Sequence, residues 1–455
     1  MNQQLRNIPS VSSIISDVNI IELSSELSPT VLNQITKDYL DKLRSSLIEK
    51  KLTITQQQIV DDIIIIAKKK YQKWPSKVLN GTGVILHTNL GRAPLSVDAL
   101  QAIDLVSQGY SNLELNLDNG KRGSRQYSVT ALLKELTGAE DAFVVNNTAA
   151  ALLLCLTSTS NGGEVIVSRS EEIEIGGGFR IPDVLSQSGS KLIEVGTTNK
   201  TYKEDYANAV TGSTKAILSM HASNYKIIGF THKPSISELC EVAKTKNLTF
   251  IHDVGSGCLL DISKYNLPNE PKPQDSISAG VDLCLFSGDK LLGGPQSGII
   301  VGKKELISKI SKHPLARAIR IDKINLAALH ATLMHYIKGE AENNIPIWKM
   351  ISSSTETLRT RGLNILRNIG IDLGLVVTQS SIGGGSLPSE TLPSIAIEIN
   401  SCNVEIVSSN LRNAHYPVLA RIYKDKILID LRTISSGEDK YLEITLKEVL
   451  TKSNN

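Results

Sequence analysis

Cysteines are few in this chain and form no pattern. Five occur in 455 residues: Cys155, Cys240, Cys258, Cys284 and Cys402. None are paired at metal-ligand spacing, and most sit among apolar residues. That excludes a disulfide framework or a zinc knuckle and reads as buried free thiols in a reducing cytoplasm, with no metal. Long apolar runs are also missing. The longest near the start is Ile63 to Ala67, far short of the roughly 20 residues a membrane span needs. Met1-Asn-Gln-Gln-Leu-Arg6 lacks the basic-then-apolar layout of a secretory signal. There is no internal repeat and no low-complexity segment. Excess charge is scarce as well. The net +3 comes entirely from residues 1–77, with eleven Lys or Arg against eight Asp or Glu, and the remaining 38 of each sign cancel.

What is present is a large globular chain. Hydrophobic residues make up 41% and charged residues 21%, which suits a soluble protein with a buried sheet. The length exceeds what one core serves and predicts two or three domains. In residues 10–70, Val31, Ile35, Tyr39, Leu40, Leu43 and Leu47 recur at three- and four-residue steps, the period of an amphipathic helix. Pro29-Thr30 marks a helix start, a second helix is expected from about Thr55 to Lys70, and Trp74-Pro75 ends the region. We therefore expect a helical N-terminal domain over 1–77. From residue 78, short apolar strands alternate with helices: Phe143–Val145, Glu164–Val167, Lys191–Val195, Ala216–Ser219, Thr249–His252 and Asp282–Phe286. That alternation predicts a mostly parallel sheet covered on both faces, with ligands at the carboxyl ends of its strands. A core domain over 78–330 and a smaller α+β C-terminal domain over 331–455 are expected.

One lysine stands out at such a strand end. Lys290 lies in Leu285-Phe-Ser-Gly-Asp-Lys-Leu-Leu-Gly-Gly-Pro-Gln-Ser-Gly298. A strand, a small-residue turn, a lysine and a Gly-Gly-Pro loop suit the presentation of one amine to a cofactor aldehyde. Taken alone, a lysine in a glycine-rich turn is usually a surface residue, but five further features agree here. Asn147 and Thr148 open a helix after a strand, where backbone N–H groups bind phosphate; taken alone they are ordinary caps. Asp253 ends the strand that begins at Thr249, placed to meet a pyridinium nitrogen, while His252 points to the other face. Asn224 follows the Ala216 strand and is expected to donate to the cofactor's ring hydroxyl; His221 faces either the ring or the core. Ser287, three residues before Lys290, is a donor to the cofactor phosphate. Arg92, Arg317 and Arg320 supply guanidinium forks for an anion, the last two spaced to share a helix face.

Basic residues with aromatics between them form one more candidate site, Lys68, Lys69, Lys70 and Lys73 with Tyr71 and Trp74. Such a run pairs with phosphates and stacks on bases. It reads equally as a solvated helix end, where lysines favour the negative pole of the dipole.

The order phosphate loop, Asn, Asp, Ser-x-x-Lys is that of a fold-type-I pyridoxal phosphate (PLP) enzyme. Gly81-Thr-Gly-Val-Ile-Leu-His-Thr-Asn-Leu-Gly-Arg-Ala-Pro-Leu-Ser96, Tyr110-Ser-Asn-Leu-Glu114, Gly120-Lys-Arg-Gly-Ser-Arg125, Phe179-Arg-Ile-Pro-Asp183, Val195-Gly-Thr-Thr-Asn199, Phe286-Ser-Gly-Asp-Lys-Leu-Leu-Gly-Gly-Pro-Gln296 and Leu428-Ile-Asp-Leu-Arg-Thr433 resemble the bacterial selenocysteine synthase family, L-seryl-tRNA(Sec) selenium transferase. The resemblance runs almost end to end. It implies that Lys290 binds pyridoxal 5'-phosphate covalently and that Arg92, Asp289, Arg317 and Arg320 line the site for selenophosphate. It implies that the N-terminal domain binds seryl-tRNA(Sec), and that the enzyme is a ring-shaped homodecamer built from dimers. The sequence departs from the family's habit at Asn146-Asn-Thr148, Ile251-His252, Ser170-Glu171 and Ala316. The competing expectation is a PLP lyase acting on a small phosphorylated amino sugar or amino acid on the same scaffold; the basic N-terminal helices argue against it.

Overall fold

The computed structural model describes residues 8–49, 54–71 and 73–452. Met1–Arg6, read above for a signal, lies outside the described residues, as does the side chain of Leu47. The chain divides into two compact units, Met1–Lys77 and Val78–Asn455.

The first unit is helical: Val11–Ile15, Val18–Glu22, Pro29–Glu49 and Gln56–Lys70. Local chemistry sets its boundaries. Ser10 and Asp17 cap the two short helices, and Thr55 forms a capping box with Gln58. One face of Gln56–Lys70 buries Ile59, Val60, Ile63 and Ala67, in one cluster with Leu32, Ile35 and Leu40 from the preceding helix. Each such aliphatic side chain stabilises by about 1.5–3 kcal/mol, so Ile63→Asn is the change that would open this unit. The Tyr39 hydroxyl donates to Asp62 Oδ2 at 2.5 Å and ties the two long helices together.

The second unit holds strands β1 (Leu79–Gly81), β2 (Asp141–Val145), β3 (Glu164–Ser168), β4 (Glu174–Ile175), β5 (Phe179–Arg180), β6 (Lys191–Val195), β7 (Thr214–Met220), β8 (Thr249–Gly255), β9 (Leu283–Ser287), β10 (Gly298–Gly302), β11 (Gly374–Ser381), β12 (Thr391–Asn400), β13 (Val418–Tyr423) and β14 (Lys426–Asp430). Its large sheet runs β2-β10-β9-β8-β7-β3-β6. The β9–β8, β8–β7, β7–β3 and β3–β6 pairs are parallel, while β10 is antiparallel to both neighbours. β9 and β10 are buried throughout, as central strands covered on both faces are. Two apolar clusters fill the two faces, one around Phe286, Leu291 and Trp348, the other around Leu154, Leu218 and Leu285.

The antiparallel β10 has a consequence for the site. Its N-terminal end lies where β9 and β2 have their carboxyl ends, so Gln296 and Ser297 join the loops gathered there. Gly298 is forced at this point: a Cβ there would meet Asn147 O at 2.1 Å.

The smaller sheet runs β1-β13-β14-β12-β11. β1 pairs in parallel with β13, Leu79 opposite Val418, so the first strand of this unit lies in the sheet built otherwise from its last strands. That crossing carries the segment ending in Arg92 from one sheet toward the other. Among the described residues, no helix is long and apolar enough to cross a membrane.

Candidate active site

The carboxyl ends of β2, β7, β8 and β9 open into one cavity of about 300 Å³. Arg92, Asn147, Thr148, His221, Ser223, Asp253, Ser287, Asp289, Lys290 and Ser297 line it. The strands explain the gathering. β2 ends at Val145 and delivers Asn147 and Thr148; β8 delivers Asp253, which lies opposite Met220 of β7; β9 ends at Ser287 and leads to Lys290.

The Lys290 loop is rigid. Leu291 N–H donates to Ser256 O at 2.9 Å, Gly294 N–H to Gly288 O at 2.8 Å, and Gly288 N–H to Ser297 O at 2.9 Å. The Tyr336 hydroxyl donates to Leu292 O at 2.8 Å and in turn accepts from Trp348 Nε1 at 2.8 Å. Leu291, Leu292 and Trp348 are wholly buried. A lysine so mounted loses little entropy on meeting a ligand.

Lys290 itself is 7% exposed. Its Nζ makes a long 3.4 Å contact with Gly385 O. Burial holds its amine below the ordinary lysine value, with Asp253 opposing and Arg92 assisting. A depressed amine is the reactive form toward a carbonyl. Asp253 moves the other way. Burial pushes its carboxyl up to about 6, against the pull of Lys290, the Gly255 N–H and His221. A buried carboxylate of this kind is stabilised by a cationic partner such as a protonated ring nitrogen.

A phosphate cradle lies alongside. Asn147 caps the helix Thr148–Ser160, its side chain accepting from Ala150 N–H at 2.9 Å. The first-turn amides of Thr148 and Ala149 have no partner within the helix, and both residues line the cavity. Thr148 Oγ1 and Ser287 Oγ lie 2.7 Å apart, two hydroxyls converging on one point. Lysine, aspartate and this cradle together fit pyridoxal phosphate: an amine for its aldehyde, a carboxylate for its ring nitrogen, donors for its phosphate.

Arg92 reaches the same cavity, its Nη1 2.9 Å from Asp289 Oδ2. The other two predicted arginines are not brought in. Arg317 is exposed on the short helix Pro314–Ala318. Arg320 lies beyond that helix, because Val145 forms a β-bridge with Arg320 and Asn146 N–H donates to Ile319 O. The two do not share one helix face, and Arg320 Nη1 faces Glu114 Oε1 at 3.9 Å. Asn224 is also outside the cavity, its Nδ2 donating to Glu174 O at 2.9 Å; its neighbour Ser223 lines the cavity instead. His252, set aside as structural, is 3% exposed and bonded to Ser276 Oγ at 2.9 Å.

Sequence reasoning missed Ser223, Gln296, Ser297 and Gly385. The short apolar run of β10 behind the Gly-Gly-Pro loop could have found Gln296 and Ser297. Nothing near Gly385 in the sequence points to Lys290, since the contact spans 95 positions.

In the first unit, Lys68, Lys69 and Lys70 close the helix Gln56–Lys70. They and Lys73 are exposed, with Tyr71 between them and the 87%-exposed Trp74 directly after.

Sequence comparisons with known proteins point to one family. The sequence profile of the L-seryl-tRNA selenium transferase family matches residues 78–435. An L-seryl-tRNA(Sec) selenium transferase of Carboxydothermus hydrogenoformans is 43% identical over 99% of this chain and 98% of its own length. That of Alkaliphilus oremlandii is 41% identical over 97% of this chain and 98% of its own. Among solved structures, D-glucosaminate-6-phosphate ammonia-lyase superposes with a TM-score of 0.60 at 20% identity, covering 86% of this chain and 99% of that one. That likeness is one of fold alone, and the fold is fold-type I, as expected from the order of the motifs along the chain.

Proposed function

The chain belongs to the L-seryl-tRNA selenium transferase family, and from that premise we propose that it converts L-seryl-tRNA(Sec) to L-selenocysteinyl-tRNA(Sec) in the cytoplasm. The cofactor is pyridoxal phosphate, and selenophosphate is the donor. The observation that carries this reading is the buried Lys290 amine, set with Asp253 and the Thr148–Ser287 pair in one cavity.

Bound there, pyridoxal phosphate supplies an electron sink that acidifies the seryl Cα–H. Lys290 holds the cofactor and is the base for the Cα proton. Asp253 pairs with the ring nitrogen; Thr148, Ser287 and the first-turn amides hold the cofactor phosphate. The seryl hydroxyl leaves as water and selenium takes its place on Cβ. Arg92, oriented by Asp289, holds the donor's phosphate, a bidentate task suited to a guanidinium. Arg317 and Arg320 join it only if the segment after Ala318 moves or a neighbouring subunit presents them.

The first unit is the tRNA-binding domain. Lys68, Lys69, Lys70 and Lys73 meet the nucleic-acid backbone, and Tyr71 and Trp74 stack on bases. Assembly is a ring-shaped homodecamer built from dimers. The exposed Val97, Leu100, Leu105, Leu117 and Tyr127 support a subunit contact, since apolar surface of this extent favours burial.

A lyase acting on a small phosphorylated substrate has the D-glucosaminate-6-phosphate ammonia-lyase likeness in its favour, but that extends to fold only. The test separates the two. Borohydride reduction and mass mapping should label the Lys290 peptide. The enzyme should convert seryl-tRNA with selenophosphate and leave free serine and amino-sugar phosphates untouched. A label elsewhere, or turnover of the small substrates in place of seryl-tRNA, overturns the reading.

A further inference from the structure

Glu270 takes no part in the site described so far, yet it is 2% exposed. It sits in Leu267-Pro-Asn-Glu-Pro-Lys272, ahead of the helix Pro273–Ser278. Its Oε2 lies 3.4 Å from His221 Nε2. Its Oε1 and His221 Nε2 are both buried without a hydrogen-bond partner among the described residues. The nearest cation in sequence, Lys272, is turned to Asp275 at 3.6 Å. A buried carboxylate without a partner is costly, and His221 is the group placed to relieve it.

His221 lines the cavity beside Lys290, Asp253 and Ser223. Its backbone N–H donates to Asp253 O at 2.9 Å, which fixes its height above the end of β8. Nε2 is the ring nitrogen near Glu270, so a hydrogen placed there leaves Nδ1 to serve the cavity that His221 lines. A carboxylate behind one ring nitrogen fixes the tautomer and supports a proton on the other.

The reaction assigned above moves two protons in opposite senses. One leaves Cα; another must accompany the departing seryl oxygen. Lys290 is assigned the first, Asp253 faces the ring nitrogen, and Arg92 and Asp289 hold each other. We propose that His221, held by its buried partner Glu270, delivers the second proton. Glu270 is then a positioning residue. This step rests on the seryl-tRNA reading. The Cβ–O bond breaks with both electrons on oxygen, the His221 proton completes the water, the Cα proton resides on Lys290, and His221 is recharged from solvent. The charged or titratable groups around His221 are Glu270 behind it, Asp253, Lys290, Arg92 and Asp289 in the cavity, His252 on β8, and Lys233, which pairs with Glu171 at 2.6 Å.

The test uses the full-length chain, with and without pyridoxal phosphate. Carbethoxylation of His221 is followed against pH by peptide mass spectrometry. In Glu270→Gln, which removes the anion behind the ring, the modification profile of His221 should move to lower pH, and Glu270→Asp should recover part of the shift. With seryl-tRNA, His221→Gln should lower kcat by about 10²–10⁴-fold with little change in KM and abolish the alkaline limb of the kcat profile. Glu270→Gln should move that limb to lower pH. Circular dichroism confirms folding, and Glu270→Ala stands in if Glu270→Gln does not fold. An unmoved His221 profile, or full kcat in His221→Gln, overturns the proposal. Absence of seryl-tRNA turnover in the unmodified enzyme is a separate result, which overturns the reaction itself; the carbethoxylation shift is read without it.

Discussion

Arg92 Nη1 lies 2.9 Å from Asp289 Oδ2, and Arg92 holds a left-handed backbone, φ 63°, in the segment that makes this contact. A non-glycine residue in that region costs about 1–3 kcal/mol. The strain persists because Ala93 N–H donates to Asp289 O and Arg92 N–H to His87 O. One residue from the loop before the large sheet is thereby locked to the neighbour of Lys290. Arg92→Lys keeps the charge and loses the fork. It should raise KM for selenophosphate by about 10- to 100-fold, the worth of a charge-assisted hydrogen bond, with a smaller fall in kcat. Steady-state kinetics with donor as the varied substrate measure this, and an unchanged donor KM removes Arg92 from the anion site.

Asp253 gives a pH signature with a definite sign. Its carboxyl is raised from 3.8 to about 6, burial being the main cause. The folded chain therefore holds that proton more tightly than the unfolded one. Stability contributed by the group is greatest below 3.8, declines as pH climbs through that window, and the cost is complete above about 6. Two pH units correspond to about 3 kcal/mol at most. Cofactor-free Asp253→Asn should melt above wild type at pH 8, with the gap closing toward pH 4. The cofactor's ring nitrogen should reverse the order, because it supplies the missing positive partner. Thermal melts at both pH values, with and without pyridoxal phosphate, decide the matter.

Much of this site was legible because strand ends are. Runs such as Thr249–His252 and Asp282–Phe286 stop at polar or glycine-bearing turns, so Asp253, Ser287 and Lys290 could be placed at one edge from spacing alone. The failures have physical causes. Asn224 and Ser223 lie in a loop, where alternation no longer says which side chain faces inward; Ser223 does. Arg317 and Arg320 are three apart, but a β-bridge between Val145 and Arg320 ends the helix between them. β10 escaped notice because Gly298-Ile-Ile-Val-Gly302 is short and follows a glycine loop. Glu270 was invisible, since its role depends on His221, 49 positions away in the chain.

The segment Leu428–Thr433, part of the family resemblance, is structural. Arg432 is 4% exposed, with Nη1 donating to Met350 O at 2.6 Å and Ser353 O at 2.8 Å, and Nη2 to Pro393 O at 2.5 Å. Burial lowers its guanidinium from the ordinary value, with Asp430 opposing. Asp430 accepts from Ser380 and Ser394, and Thr433 Oγ1 donates to Asn80 O at 2.6 Å. These bonds join β1, β11, β12 and β14 to the helix Pro346–Ser352. Arg432→Met strands three carbonyls and should cost about 3–5 kcal/mol. Urea unfolding should show the loss in midpoint, while borohydride labelling of Lys290 in the folded fraction stays intact. Loss of labelling without loss of stability would place Arg432 in the chemistry instead.

Lys68, Lys69, Lys70 and Lys73 are exposed around Tyr71 and Trp74, as both a phosphate contact and a solvated helix end require, and salt dependence separates the two. Lysine side chains that only complement the helix dipole contribute a few tenths of a kcal/mol to stability and nothing to nucleic-acid affinity. Lysines on phosphates release counterions, each changing the slope of log affinity against log salt by about 0.7–0.9. Replacing all four by Gln should therefore reduce that slope by about 3 for seryl-tRNA, while the Lys290 label remains. Trp74→Ala should weaken tRNA binding by about 1–3 kcal/mol with the slope unchanged, because stacking moves no ions. Filter binding at four salt concentrations distinguishes the two variants. A slope that stays put in the quadruple variant would make the run a helix end and move the tRNA contact elsewhere in the chain.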